Sequence, residues 1–134
     1  MKITEVPVPV KYDYHNILHL TTGEDCCEAG TRIPGVWLKY NNGKPYLHAA
    51  MAMTRSQIYQ NIALEMNKQY FVELVQAEGF FTVKINHDQV WQVNSGSATF
   101  QTVKYYLSDP WYPSAGKVAI LSTPKIWQGY DRII

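Results

Sequence analysis

The residues best suited to ligand binding lie in a proline-bounded segment, 108–114, which reads Ser-Asp-Pro-Trp-Tyr-Pro-Ser. Two prolines stiffen this loop, and a stiff loop loses little conformational entropy when its side chains meet a partner. Trp111 and Tyr112 can present their ring faces to a sugar or to a partner surface, and Asp109 adds a carboxylate beside them. Alternatively, the two rings fold back and plug one end of the domain. The sequence leaves both interpretations open.

A second polar loop, residues 23–32, contains three carboxylates and one guanidinium. Hard cations such as calcium bind clustered oxygen atoms, so the loop is a candidate calcium or ligand site. The alternative is a solvated loop in which Arg32 pairs with a carboxylate of its own loop. Asp25 could contribute to such a calcium site together with Asp88 or Asp109 of another loop. Because no recognisable ligand spacing is present, we leave the metal unassigned and predict no cofactor.

The two cysteines, Cys26 and Cys27, are adjacent and lie in the middle of this loop. Adjacent cysteines cannot join distant parts of the chain, so they do not form a disulfide framework for the fold. They are either ordinary thiols, a vicinal disulfide or a bridge to another chain. Two thiols alone are too few ligands for a structural metal site.

No catalytic residue is predicted. Retaining glycoside hydrolases need an acid and a nucleophile about 5 Å apart, whereas the acids of residues 24–28 flank the two cysteines without strand alternation. His19 and His48 fall in apolar runs and are expected to be structural, as is Trp37. No serine or cysteine comes with a credible base in the local sequence.

Most of the chain alternates apolar and polar residues with a period of two, which predicts β-strands. The clearest hairpin spans residues 36–51, because Asn42-Gly43 supplies the positive φ angles of a tight primed turn. The window 55–68 has some helical spacing, but its all-β surroundings favour strand or loop. The remaining strands and turns are predicted at 16–22, 70–75, 80–85, 86–89 (a turn), 90–93, 99–107 and 117–121.

The length and composition of the chain limit the classes of protein to which it can belong. The 134 residues predict one domain, 1–134, with 46% hydrophobic and 17% charged residues arguing against disorder. A net charge of +1 and the absence of a basic run argue against nucleic-acid binding. No apolar run approaches the roughly 20 residues that span a bilayer, so membrane insertion is not predicted. The start lacks the apolar run of a signal peptide, which predicts a cytosolic protein or a mature domain.

About ten short strands without helical spacers indicate an all-β sandwich or barrel. Within residues 1–10, Val6, Val8 and Val10 alternate with Pro7 and Pro9. Proline cannot donate to a strand ladder, so this segment is predicted to be an edge strand or an extended arm. Residues 123–134 form a tail to which we assign no structure.

Four segments resemble the laminin-G-like, concanavalin A-like sandwich modules of secreted animal proteins, including invertebrate ones. They are residues 17–23 (Ile-Leu-His-Leu-Thr-Thr-Gly), 32–37 (Arg-Ile-Pro-Gly-Val-Trp), 80–86 (Phe-Phe-Thr-Val-Lys-Ile-Asn) and 103–112 (Val-Lys-Tyr-Tyr-Leu-Ser-Asp-Pro-Trp-Tyr). The similarity extends over about residues 3–121. It implies an antiparallel two-sheet jelly-roll sandwich and an extracellular role in adhesion or in recognition of glycans or matrix.

The leading hypothesis is therefore a non-enzymatic, lectin-like module whose end loops bind a glycan or an extracellular protein. The proposed ligand-binding residues are Asp109, Trp111, Tyr112, Asp25 and Arg32. A second hypothesis is a self-assembling adhesion protein that forms homo-oligomers through an open sheet edge or its cysteines, since the related modules carry a further strand before the segment matching residues 3–10. A glycoside hydrolase is the third.

Overall fold

The structure is a computed structural model that describes residues 1–3, 14–115 and 119–120. Ten strands and no α-helix occur in these residues, so the predicted all-β class is confirmed. Most of the predicted N-terminal arm, residues 4–10, and the tail 123–134 lie outside them. The strands are β1 (Lys2–Ile3), β2 (Tyr14–Thr21), β3 (Gly35–Asn41), β4 (Lys44–Met51), β5 (Ile58–Ala63), β6 (Val72–Ala77), β7 (Phe80–Ile85), β8 (Asp88–Asn94), β9 (Lys104–Tyr106) and β10 (Ala119–Ile120).

The larger sheet contains five antiparallel strands in the order β5-β4-β3-β2-β9. Its centre is the predicted hairpin of β3 and β4, in which Asn42 and Gly43 have φ angles of 52° and 76°. Both angles are positive, as a tight primed turn requires. This two-residue turn fixes the register, so that Trp37 lies opposite His48.

The smaller sheet is a meander of β6, β7 and β8. Its two connections are also two-residue turns with positive φ angles, Glu78-Gly79 and Asn86-His87. A short pair of β1 and β10 completes the described strands. The closely spaced hairpins predicted from the sequence are therefore confirmed.

Two predicted segments differ in extent from the observed strands. Residues 55–68 contain β5 and no helix, as expected. The strand predicted at 99–107 is reduced to β9, since residues 99–103 are exposed except Phe100 and have no continuous apolar face to bury. A strand without such a face gains little from pairing.

Strand alternation gives the five-stranded sheet one apolar and one polar–aromatic face. Burying each large apolar side chain contributes about 1.5–3 kcal/mol, which makes the apolar face the main source of stability. The core takes its buried side chains from both sheets, and they include Val36, Leu38, Tyr40, Leu47, Ala49, Met51, Phe81, Val83 and Ile85. The two sheets thus share one hydrophobic core. No α-helix occurs in the described residues, and they therefore hold no helical membrane span.

Candidate functional site

The second face of the five-stranded sheet carries a row of polar and aromatic side chains. Trp37, His48 and Asn61 are register partners on three neighbouring strands, β3, β4 and β5. Because side chains alternate along each strand, all three lie on the face opposite the core. His19 joins the row from β2, with its ring centroid 5.4 Å from that of Trp37.

Gly35 makes room for the indole of Trp37. A Cβ atom at residue 35 would lie 2.3 Å and 2.6 Å from two ring carbons of Trp37. Carbon atoms pack at about 3.5–4.0 Å, so only glycine allows the ring to lie over the strand here. The Arg32 guanidinium then covers the indole, with its central carbon 4.5 Å from the ring centroid.

Arg32 is the centre of a hydrogen-bonded network. Its Nε and Nη2 groups donate to Oδ1 of Asp25 at 3.1 and 3.0 Å. Nη2 also donates to the Tyr112 hydroxyl at 3.1 Å, and Nη1 donates to the side-chain oxygen of Gln57. The Tyr112 hydroxyl donates to Oδ2 of Asp25 at 3.1 Å. Arg32 is only 6% exposed, so this network holds the guanidinium in one position.

Burial raises the pKa of Tyr112 above its usual value, and the negative charge of Asp25 adds to the effect. Both causes disfavour the phenolate. Tyr112 therefore keeps its proton at neutral pH and remains a donor to Asp25.

His48 presents a hydrogen-bond acceptor on the same face. Its Nδ1 atom lies 2.7 Å from Oδ1 of Asn61. An amide oxygen only accepts, so Nδ1 carries the proton and Nε2 is left as the acceptor of the neutral ring. Burial, supplemented by the positive charges of Arg32 and Lys39, lowers the pKa of His48. The ring is therefore neutral at pH 7, and no described residue bonds to Nε2.

The segment 108–115 is fixed to strand β2 by the fully buried side chain of Asn16. Oδ1 of Asn16 accepts the backbone N–H of Asp109 at 3.0 Å, and the Asn16 backbone N–H donates to the carbonyl of Pro113 at 2.7 Å. The Asn16 amide nitrogen also reaches the Leu18 and Val36 carbonyls, across a register shift in the β2–β3 pairing. The bulge thereby creates the anchor for the loop.

Asp109 organises the loop from inside. Oδ1 accepts the backbone N–H groups of Trp111 and Tyr112 at 3.1 and 2.9 Å. Oδ2 lies 2.7 Å from Nδ1 of His19, whose Nε2 lies 2.6 Å from the carbonyl oxygen of Thr31. A carbonyl only accepts, so Nε2 carries a proton and a second proton is shared between His19 and Asp109. This pair links the loop of residues 23–32 to the segment 108–115.

Together these side chains enclose a cleft with a volume of about 250 Å³. Its polar lining comes from Arg32, His48 and Gln57, and its aromatic lining from the other four residues. The aromatic residues are Tyr14, Trp37, Tyr59 and Tyr112. Tyr59 is the most exposed large apolar side chain among the described residues, at 55%, and its ring lies 5.1 Å from that of His48. The cleft can thus offer ring surfaces and fixed polar atoms to one small ligand.

The five residues predicted from the sequence fall into two groups. Asp25, Arg32 and Tyr112 meet in one network, and Arg32 and Tyr112 line the cleft. Asp109 is 4% exposed and holds the loop. Trp111 is 36% exposed and packs on His19 and Tyr106, outside the cleft lining.

Cys26 and Cys27 are joined in a vicinal disulfide directly after Asp25. The carbonyl of Cys27 accepts the backbone N–H of Gln57 at 2.9 Å. The disulfide loop therefore contacts both Asp25 and Gln57, which accept hydrogen bonds from Arg32. In the part of the chain that the structure describes, no group of three His, Cys, Asp or Glu side chains is arranged to hold a metal ion.

The cleft residues that lie on the five-stranded sheet were not predicted from the sequence. Trp37 and His48 were expected to be structural, and Tyr14, Gln57 and Tyr59 were not singled out. His19 is structural as expected, with both ring nitrogens bonded. The available signal was the Asn-Gly turn, because its register places Trp37 beside His48 and strand alternation places Tyr46 and Lys39 on the same face.

The chain matches no protein-family model, no curated protein and no solved structure. We therefore infer a function from the chemistry of the cleft.

Proposed function

We propose that the chain is a non-enzymatic recognition module that binds a carbohydrate in the cleft on its five-stranded sheet. The observation that carries the proposal is the combination of an exposed ring, Tyr59, with fixed polar atoms around it. Sugars present apolar C–H faces and hydroxyl groups, so a site of this composition suits them. One N–H of Arg32 has no partner among the described residues, and it and the acceptor Nε2 of His48 supply opposite hydrogen-bonding roles.

A buried donor at the cleft supports the same proposal. Trp37 lines the cleft, and its indole N–H is buried without a hydrogen-bond partner among the described residues. Leaving such a group unpaired costs about 1–3 kcal/mol. A ligand hydroxyl that reached it would recover part of that cost.

Binding is favoured over glycoside hydrolysis by the placement of the carboxylates. Hydrolysis needs a pair of carboxyl groups flanking the sugar. None of the described residues lining the cleft is an acid, and Asp25 behind it is neutralised by Arg32. The network thus favours a site that holds a ligand unchanged.

The proposal extends to the family and the location. The two antiparallel sheets and the return of β9 to the side of β2 support a laminin-G-like, concanavalin A-like jelly roll. The Cys26–Cys27 disulfide supports an extracellular location, because disulfides persist in oxidising compartments. The partner would then be a glycan or a glycosylated extracellular protein.

A glycan array probed with the wild-type protein and with Tyr59→Ala tests the proposal. We expect the array to identify a bound sugar and the variant to bind it at least about tenfold more weakly, as for other rings central to a site. Tyr105→Ala is the matched control, because Tyr105 is 41% exposed on β9 and does not line the cleft. Absence of any bound glycan, or equal losses in both variants, would contradict the proposal.

A second candidate function, self-assembly, is favoured by the exposed apolar side chains around β9. Val103, Tyr105 and Leu107 are 40–45% exposed, and among the described strands β9 pairs only with β2. Such an edge can pair with another chain. Light scattering over a range of concentrations, with and without reductant, tests it, and a strict monomer throughout would exclude it.

A further inference from the structure

A second cleft, of about 200 Å³, lies on the same face of the five-stranded sheet. It is lined by Lys39, Asn41, Tyr46 and Asn61. Lys39 and Tyr46 are register partners, two residues along the strands from the Trp37–His48 pair. Two residues of a strand span about 6.6 Å, so the second cleft begins about one sugar unit from the first.

Two residue pairs connect the clefts. Tyr14 lines the first cleft and Lys39 the second; the two are register partners, and Nζ of Lys39 lies 5.3 Å from the Tyr14 ring centroid. His48 lines the first cleft and Asn61 the second, and they share a hydrogen bond of 2.7 Å. Each pair has one member in each cleft, so the clefts are adjacent.

The far end of this surface is positively charged. Lys39 lines the second cleft, and Lys44, which pairs with Asn41 and is exposed, lies on the same face by strand alternation. No described carboxylate lies within 4.0 Å of either ammonium group. The charge of Arg32, by contrast, is compensated by Asp25. The positive charge of Lys39 also helps to lower the pKa of His48, after the larger effect of burial.

We propose that the two clefts form one groove that binds an oligosaccharide of at least two units carrying an anionic substituent, a carboxylate or a sulfate, beside Lys39. The inference rests on the proposed carbohydrate function. A neutral unit occupies the aromatic cleft near Tyr59, and the anionic unit occupies the cleft of Lys39. Lys44 adds to the attraction at longer range.

Three matched oligosaccharides test the groove by isothermal titration calorimetry: a neutral β-linked glucose tetramer, the same tetramer oxidised to uronic acid at C6, and the same tetramer sulfated at C6. We expect an anionic tetramer to bind about tenfold more tightly than the neutral one at low salt, as for a hydrogen bond to a charged group. The preference should shrink at high salt because the charges are partly exposed. Comparison of the two anionic tetramers identifies the substituent.

Lys39→Gln should abolish the anionic preference, so that the variant binds the anionic and neutral tetramers with affinities equal within about twofold. Lys84→Gln is the matched control, because it makes the same chemical change on β7 of the other sheet and should keep the preference. Equal affinities for all three tetramers would contradict the proposed anionic groove but would not contradict the proposal of carbohydrate binding. Failure of every tetramer and every arrayed glycan to bind would overturn both proposals.

Discussion

Replacement of Gly35 by alanine tests the packing on which the cleft is built. The new Cβ would lie 2.3 Å from a ring carbon of Trp37, so the indole must move by more than about 1 Å to reach normal contact. The ring has little space to do so, because His19, His48 and Tyr112 surround it with centroids 5.4–5.7 Å away.

The expected loss of stability has two parts. Overpacking of a well-packed site costs about 1–3 kcal/mol. Displacement of the indole also weakens the stacking of Arg32, which contributes about 0.5–2 kcal/mol. Gly35→Ala should therefore lower the free energy of unfolding by about 1.5–5 kcal/mol.

Urea denaturation followed by circular dichroism measures this change, and a double-mutant cycle with Trp37→Leu identifies its cause. Leucine lacks the ring carbons that meet the new Cβ, so Gly35→Ala should lower the free energy of unfolding only slightly in the Trp37→Leu background. A cost that is the same in both backgrounds would refute the steric argument. So would a Gly35→Ala protein as stable as the wild type.

Three further predictions follow from the buried groups. Arg32→Lys should lower the free energy of unfolding by about 2–4 kcal/mol in urea denaturation, because one ammonium cannot replace a guanidinium bonded to Asp25, Gln57 and Tyr112; a loss below about 0.5 kcal/mol would contradict this. His19→Ala should lower the free energy of unfolding by about 3–5 kcal/mol, because it leaves the buried Asp109 carboxylate without its partner. An Asp109→Asn substitution should then lower the free energy of unfolding less in the His19→Ala background than in the wild type. Burial lowers the pKa of His15 and His48, so the unfolded chain takes up protons near pH 6.5 before the folded chain does. The contribution of these two histidines to the free energy of unfolding should therefore be fully present above that pH and decrease as the pH falls below it. In a His15→Gln/His48→Gln double variant, the urea midpoint should decrease less between pH 8 and pH 5 than in the wild type. An equal decrease in the two proteins would contradict this prediction.

The strands of this protein were predictable because their signals are local. Alternation of apolar and polar residues predicted the hairpins, and Asn42-Gly43 fixed the turn between β3 and β4. The strand at β9 was predicted but its shortness was not, because exposure of residues 99–103 depends on what packs against them. The local sequence thus determines which segments form strands, whereas tertiary contacts determine how long each strand is.

The site was only partly predictable, for the same reason. The pairing of Arg32 with an acid of its own loop was an open alternative, and the structure places Asp25 there. The contact of Arg32 with Tyr112 spans 80 residues and has no local signal. The pairing of His19 with Asp109 spans 90 residues and depends on the bulge at Asn16.

The polar and aromatic face of the five-stranded sheet could have been predicted from the sequence. Once the turn at Asn42-Gly43 is assigned, register alone places Trp37 opposite His48. The apolar surroundings of both residues suggested a core position. Their strands have two faces, however, and these two side chains occupy the one that the core does not use.

The most direct test of ligand binding in this cleft is an NMR titration with the glycan that the array identifies. The account predicts that the indole N–H resonance of Trp37 and the imidazole resonances of His48 shift on binding, while the indole N–H of Trp91, on strand β8 of the other sheet, does not. Shifts confined to the three-stranded sheet, or binding that leaves Trp37 and His48 unchanged, would contradict it.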